Sequence, residues 1–226
     1  MVNIGIPSKG RLRKDILSIF KNKKLKLYSE RGKRDLFGSI KKFPKIKIIY
    51  LHAREIIERL GDGSLDIGFS GFDLLKESEI RTQKKISVFK KYRFGKATLV
   101  AAVPDKWIDV QTIADLEEIA FEFKDKKKKR LRVATKYPNL TREFLFSKGV
   151  TQFKLVGSLG ATEAYPFTGS SEIITDITST GETLKANNLR ILKDGEILKS
   201  EACMMISKSS VKKPEVKKLV KLLSKN

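Results

Sequence analysis

The sequence predicts an α/β fold in two parts, on three observations. Short β-branched runs alternate with stretches of helical spacing along the whole chain. Hydrophobic residues are 40% of the 226 residues and charged residues 33%, enough apolar material for a core and too much for a disordered chain. Linker-like breaks near 90–96 and 184–189 interrupt the pattern. Residues 1–95 and 185–226 are therefore expected to form one discontinuous domain, and 96–184 a second.

The elements follow in order. Val2–Ile6 reads as a strand, and after the turn Pro7-Ser8-Lys9-Gly10-Arg11 the residues Leu12, Ile16, Leu17, Ile19 and Phe20 recur at helical spacing. Ile46–Leu51 is a continuous apolar run, as in a strand buried on both faces of a largely parallel sheet. Ala53–Leu60 is helical and stops at Gly61 and Gly63; Leu65–Ser70 is the next strand, and Gly71-Phe72-Asp73 opens a short helix. In the second part, 97–103 is a strand stopped by Pro104-Asp105, Thr112–Ala120 a helix, and 131–135 a strand. Pro138 stands where a first-turn proline is tolerated, followed by Leu140, Phe144 and Leu145. Strands at 153–158 and 172–177 flank a Gly-, Thr- and Ser-rich connection, and a helix starts after Gly181. Residues 189–207 read as two strands around the turn Asp194-Gly195, and from Lys213 a basic helix aligns Val216, Leu219, Val220, Leu222 and Leu223 on one face. No internal repeat is visible.

The charge balance of 48 Lys+Arg against 26 Asp+Glu leaves +22, which steers polyanions toward the surface. Much of that excess is lysine scattered over every segment, and the longest block, Lys124 to Arg130, reads as a solvated loop. Nucleic acid is not expected as a partner, because the stacking aromatics of specific readers are missing around the basic runs. One cysteine, Cys203, excludes a disulfide framework and a cysteine-rich zinc module, and one histidine, His52, excludes a site built on several. No apolar run approaches the ~18 residues of a membrane span, and the apolar stretch before Pro7 is too short for a secretory signal, so a cytoplasmic protein with no membrane partner is expected. His52, Cys203 and Trp107 read as structural or packing residues.

Two segments could carry chemistry. In 176–184 (DITSTGETL) an acid ends an apolar strand, and four hydroxyls in six residues with Gly181 form the turn into a helix. Hydroxyl donors, helix-start N–H groups and a favourable dipole suit a phosphate, and a strand-end acid can accept from sugar hydroxyls. An ordinary Ser/Thr cap with its turn glycine would use the same residue types. In the second segment, GIPSKGR (5–11) has two glycines but lacks the Lys-Ser/Thr pair of a Walker loop, which argues against ATP hydrolysis of that kind. Lys9 and Arg11 could grip a phosphate chain there, or simply be a solvated basic turn.

GIPSKGRL (5–12), LDIGFSGFDLLKES (65–78), RVATKYPNLTREFL (132–145) and DITSTGETLKANNL (176–189) resemble, in order, the successive blocks of the ATP phosphoribosyltransferase family. The length resembles the short form, which lacks a C-terminal regulatory domain. The resemblance implies two α/β domains like a type II periplasmic binding protein, with the active site in the cleft. The reaction implied moves the phosphoribosyl group of 5-phosphoribosyl-1-pyrophosphate (PRPP) to N1 of ATP, with Mg²⁺ and release of pyrophosphate. Ser179, Thr180, Gly181 and Thr183 would hold the 5-phosphate of PRPP, and Asp176 and Glu163 would contact the ribose hydroxyls or the magnesium-bound diphosphate. Lys9 and Arg11 would neutralise phosphates, Tyr137 would pack on the adenine, Asp73 would face the nucleotide, and Arg34 would reach the triphosphate. The family also implies a homodimer that joins a regulatory subunit related to histidyl-tRNA synthetase. Three departures stand out: Glu55-Ile56-Ile57 without the usual proline, a slightly longer connection at 157–169, and Ser171-Glu172 where Ala-Asp is frequent. The rival reading is a two-domain protein that binds an anion or nucleotide without chemistry.

Overall fold

In the computed structural model, which describes residues 1–28, 36–41 and 43–224, the first apolar run forms β1 (Val2–Pro7), covered by α1 (Gly10–Asn22) through Ile16 and Phe20. Three strands follow: β2 (Leu27–Tyr28), β3 (Phe37–Ile40) and β4 (Phe43–Leu51). His52 caps α2 (Ala53–Gly61), its Nδ1 accepting from the backbone N–H of Arg54 at 3.3 Å, and Ile56, Ile57 and Leu60 turn inward. Then come β5 (Ile67–Gly71), α3 (Phe72–Glu77), α4 (Ile80–Gln83) and β6 (Ile86–Lys91).

The chain enters a second unit with β7 (Ala97–Pro104) and α5 (Ile113–Lys127). A reciprocal cap starts α5: Thr112 Oγ1 accepts from the Asp115 amide at 3.3 Å, and the Asp115 carboxylate accepts from the Thr112 amide at 2.7 Å. The helix runs past Ala120 and ends in a left-handed Lys128, φ 52°. The lysine block expected as a loop is thus half helical, because cations are favoured at the negative end of a helix. Then follow β8 (Leu131–Thr135), α6 (Pro138–Ser147), β9 (Phe153–Gly157), a 3-10 turn at Thr162–Ala164, β10 (Ile173–Thr178), α7 (Glu182–Ala186) and β11 (Leu189–Ser200). The chain returns to the first unit for β12 (Ala202–Ser207) and α8 (Pro214–Ser224).

The first unit holds a seven-stranded sheet in the order β2-β3-β4-β1-β5-β12-β6, with β1 parallel to β4 and β5 and the remaining pairs antiparallel. The second holds five strands, β11-β7-β10-β8-β9, with β8 parallel to β9 and β10, and β7 antiparallel to β10 and β11. Both sheets are mixed rather than largely parallel. Continuous apolar runs report burial on two faces and carry no information on strand direction.

Two expectations need correction. The units are Met1–Gly95 with Glu201–Asn226, and Lys96–Ser200, so residues 185–200 belong to the second unit and not the first. The hairpin expected at Asp194-Gly195 is a bulge within one strand: Ile191 pairs with Ala102 and Glu196 with Val100, both on β7. The Asp194 carboxylate accepts from the Ile113 amide at 2.8 Å, which fastens that bulge to the start of α5. Cys203 is a core thiol as expected, and burial pushes its pKa up to about 12. Among the described residues, no helix is long and apolar enough to cross a membrane.

In the first unit Asp66, 3% exposed, ties α8 to the sheet. It accepts from the Asn3 amide at 2.7 Å, and from Ser210 Oγ and Lys213 Nζ at 2.6 Å each. Burial alone would raise its pKa; Lys213, Ser210 and Asn3 together hold it below the usual carboxylate value. A depressed acid stabilises the fold above its unfolded pKa and loses that effect as pH falls through the folded one. Asp66→Ala should cost about 1.5–3 kcal/mol, the range for a hydrogen bond to a charged group. The loss should be measurable by urea unfolding at pH 7 and should shrink below ~pH 3.9, where an unfolded Asp protonates.

Candidate functional site

β10 lies inside the second unit's sheet between β7 and β8, buried from Ile173 to Asp176. Beyond Thr178 the chain turns through Ser179, Thr180 and Gly181 into α7. Gly181 sits at φ +80°, where residues with a Cβ are strained. Its N–H donates to Thr178 Oγ1 at 2.8 Å, and the Glu182 N–H donates to Thr180 Oγ1 at 3.4 Å. Ser179 Oγ donates to the Lys96 carbonyl at 3.1 Å. The hydroxyls therefore do shape the turn, yet Ser179, Thr180 and Thr183 are exposed. A threonine oxygen that accepts a backbone N–H still has its own proton to donate, so Thr180 can bind an anion without giving up its turn bond.

Beneath the turn, Thr135, Thr141 and Thr175 form a buried ring of hydroxyls with spacings of 3.1, 2.6 and 2.7 Å that joins β8, α6 and β10. Asp176 Oδ1 accepts from the Ile177 amide at 2.8 Å, and Lys136 Nζ stands 4.0 Å from its other oxygen. The Thr162 hydroxyl also donates to this carboxylate. Burial pushes the Asp176 pKa up despite the Ile177 amide, Lys136 and Thr162, and Glu163 adds repulsion. A carboxylate so placed gains from any bound cation or donated hydroxyl. Because folding raises this pKa, the ionised group destabilises the free fold; the penalty is absent below the ordinary carboxylate range and complete above the raised value. Asp176→Asn should therefore melt higher than the parent at pH 8 in calorimetry. The same variant loses the charge that a bound cation or donated hydroxyl would meet, worth ~1.5–3 kcal/mol for a charged hydrogen bond.

In the first unit Lys9 is the N-cap of α1, and Gly10, the first helical residue, has φ +81°. Lys9 and Arg11 are both exposed at the C-terminal end of β1. β5 runs parallel to β1, so Asp73, two residues beyond it and buried, lies toward the same edge of this sheet. In the second unit β8 and β10 are parallel, and their C-terminal ends gather Lys136, Tyr137, Asp176 and Ser179. Open α/β sheets bind ligands at such edges, beyond the carboxyl ends of parallel strands. Glu163 is half-buried on the 3-10 turn near Asp176, while Tyr137 is only 6% exposed, with its amide bound to Thr135 Oγ1 at 2.9 Å. Arg34 lies outside the described residues. Lys136 and Thr162 were missed from sequence, since the approach of Lys136 to Asp176 depends on β8 pairing beside β10.

Among the described residues, no three His, Cys, Asp or Glu side chains cluster tightly enough to cage a metal ion. Glu163 adds charge repulsion at Asp176, so the two carboxylates put hard oxygen donors in the same neighbourhood of the second unit. That donor set fits Mg²⁺, which keeps waters and takes its remaining ligands from phosphates.

A sequence model of the ATP phosphoribosyltransferase family matches residues 52–225. An ATP phosphoribosyltransferase of Nitrobacter winogradskyi is 44% identical over 207 residues, covering 92% of this chain and 64% of that protein. The chain thus spans just under two thirds of that relative's length. Among solved structures, the ATP phosphoribosyl transferase (HisG:HisZ) complex from Thermotoga maritima contains a chain 27% identical with a TM-score of 0.77, covering 99% of this chain and 96% of that one. The arginine-, lysine-, histidine-binding protein ArtJ of Geobacillus stearothermophilus, 14% identical, covers 97% of this chain and 87% of its own with a TM-score of 0.56, and shares the fold alone. The two mixed α/β sheets are those of a type II periplasmic-binding-protein-like fold, and with the family match over most of its length the chain belongs to the ATP phosphoribosyltransferase family.

Proposed function

We propose that the chain transfers the 5-phosphoribosyl group of PRPP to N1 of ATP, releasing pyrophosphate, as the first step of histidine biosynthesis in the cytoplasm. The observation that carries this reading is the end of β10, where the buried Asp176 is followed by exposed hydroxyls and a left-handed Gly181. Ser179, Thr180, Gly181 and Thr183 take the 5-phosphate. Asp176 and Glu163 face the ribose hydroxyls, and Lys9 and Arg11 neutralise phosphates. Asp73 and Arg34 serve the nucleotide. Tyr137 packs on the adenine, which its burial permits only if neighbouring groups move to uncover the ring.

In the reaction the N1 lone pair forms a bond to the anomeric carbon while the carbon–oxygen bond to diphosphate breaks, its electron pair leaving on pyrophosphate. Positive charge builds on the ribose and negative charge on the leaving group. Asp176 and Glu163 stabilise the first, and fixed cations the second. Bound Mg²⁺ would neutralise the diphosphate and improve it as a leaving group. The attacking nitrogen already has its lone pair, so no strong base is required, consistent with motifs that contain no histidine. Holding two polyanions in line is the larger task.

The test is absorbance of the N1-substituted adenine when protein, ATP, PRPP and Mg²⁺ are mixed with pyrophosphatase. The expected result is a rise that needs all three small components; no rise at stoichiometric enzyme would contradict the reading. The HisG:HisZ complex from Thermotoga maritima supports a catalytic subunit that joins a second, regulatory subunit; a homodimer by itself and a partner related to histidyl-tRNA synthetase are what the family resemblance adds. Histidine should inhibit the mixture of the two and leave the lone chain active, since allostery needs a second site. Inhibition of the lone chain, non-competitive with both substrates, would place that site here.

A further inference from the structure

The second unit contains a cavity of about 610 Å³ at the end of its sheet opposite the β10–α7 turn. Its wall includes Arg130 and Arg132, where β8 begins, and Ser171 and Glu172, where β10 begins. Six residues of β10 separate this end from the turn, roughly 20 Å. Trp107 and Phe123 line it with ring centroids 6.3 Å apart. Five further cations line the cavity, Lys106, Lys127, Lys129, Arg130 and Lys154, with Lys127 over the Phe123 ring.

Cations in the last turn of α5 have an ordinary explanation in the helix dipole, but that explanation does not cover this set. The lysine block divides. Lys126 pairs with Glu122 at 3.0 Å and Lys128 with Asp125 at 3.8 Å, while Lys127 lies over the Phe123 ring at 3.7 Å and Lys129 and Arg130 line the cavity. Lys106, Lys129, Arg130 and Lys154 lie outside α5 altogether. The acidic group on the wall, Glu172, is already taken by Arg132, at 2.6 Å to one guanidinium nitrogen and 3.2 Å to another. Ser171 Oγ, also on the wall and buried, has no hydrogen-bond partner. Phe123 precedes the basic run directly, and the fold brings Trp107 beside it.

We propose that this cavity binds a small polyphosphate ligand with a planar ring, a nucleoside polyphosphate in chemical class. The phosphates lie among the five cations and the ring packs against Trp107. The volume falls within the ~300–1,000 Å³ of small-molecule sites. This site is separate from the phosphate turn and does not depend on the catalytic reading.

Trp107 is the chain's one tryptophan, so its emission reports on this cavity. GTP and inorganic tripolyphosphate are titrated separately at constant ionic strength. Both should give a saturable change, with GTP binding tighter because its ring adds stacking. The double variant Lys129→Ala/Arg130→Ala, altered on the exposed segment between α5 and β8, should bind at least tenfold more weakly. Gly181→Val, confirmed folded by circular dichroism, should bind within twofold of the parent. No saturable change, equal affinity in the double variant, or loss of the signal in Gly181→Val would overturn the proposal. A response to oligouridylate alone would also overturn it, in favour of single-stranded nucleic acid.

Discussion

Gly181→Val should abolish PRPP binding, and turnover with it, while the protein stays folded. A Cβ at this position meets nothing nearer than Ile191 Cδ1 at 3.9 Å, so valine does not clash. The cost lies in the backbone: φ is +80°, and a β-branched residue there is strained by roughly 1–2 kcal/mol. Rotation of the turn would relieve that strain, withdrawing the Gly181 N–H from Thr178 Oγ1 and displacing Ser179 and Thr180. α7 is one short helix of five residues that puts only Leu184 into a core cluster of the second unit, so the change should leave the rest of both cores in place. A bulky residue at Thr180 should have the same effect by losing the donor directly. Calorimetric titration decides it; PRPP affinity unchanged in both variants would remove the turn from the site.

Lys9→Ala and Arg11→Ala should each lower kcat/KM by about 10–100-fold, the equivalent of the ~1.5–3 kcal/mol of one charge-assisted hydrogen bond to phosphate. Neither substitution should lower the melting temperature measurably. Lys9 caps α1 through its backbone with no side-chain hydrogen bond, and both side chains are exposed. Steady-state kinetics beside a thermal melt separates the two effects. A parental rate in both variants would contradict the role assigned to the β1–α1 turn.

The local elements were largely legible because their signals are local. Apolar spacing located β1, α1, α2, β5 and α8, and Pro138 marked the start of α6 at its first residue. The failures came where long-range pairing decides. Asp194-Gly195 has the residue types of a hairpin turn, but β7 pairs with both flanks and makes it a bulge. The same pairing carries residues 189–200 into the second unit, past the break read near 184–189. β2, β3 and β6 are edge or near-edge strands without continuous apolar runs, and went unseen.

At the candidate site, the turn of Asp176, Ser179, Thr180 and Gly181 was legible as four hydroxyls and a glycine after an apolar strand. Lys136 could not, because its approach to Asp176 depends on β8 lying parallel beside β10. Neither could the high pKa of Asp176, which burial in the folded sheet creates. Trp107 and the lysine block lie far enough apart in sequence that only the folded unit places them around one cavity.

The central claim, phosphoribosyl transfer to ATP, is tested most directly by mass balance in a single turnover. Protein in excess over ATP is mixed with PRPP and Mg²⁺, quenched, and the nucleotide and pyrophosphate are quantified together by mass spectrometry and enzymatic assay. One phosphoribosyl group added to ATP for each pyrophosphate released, with none formed when PRPP is omitted, is the predicted result. ATP recovered unmodified, or pyrophosphate released without a phosphoribosylated nucleotide, would contradict it.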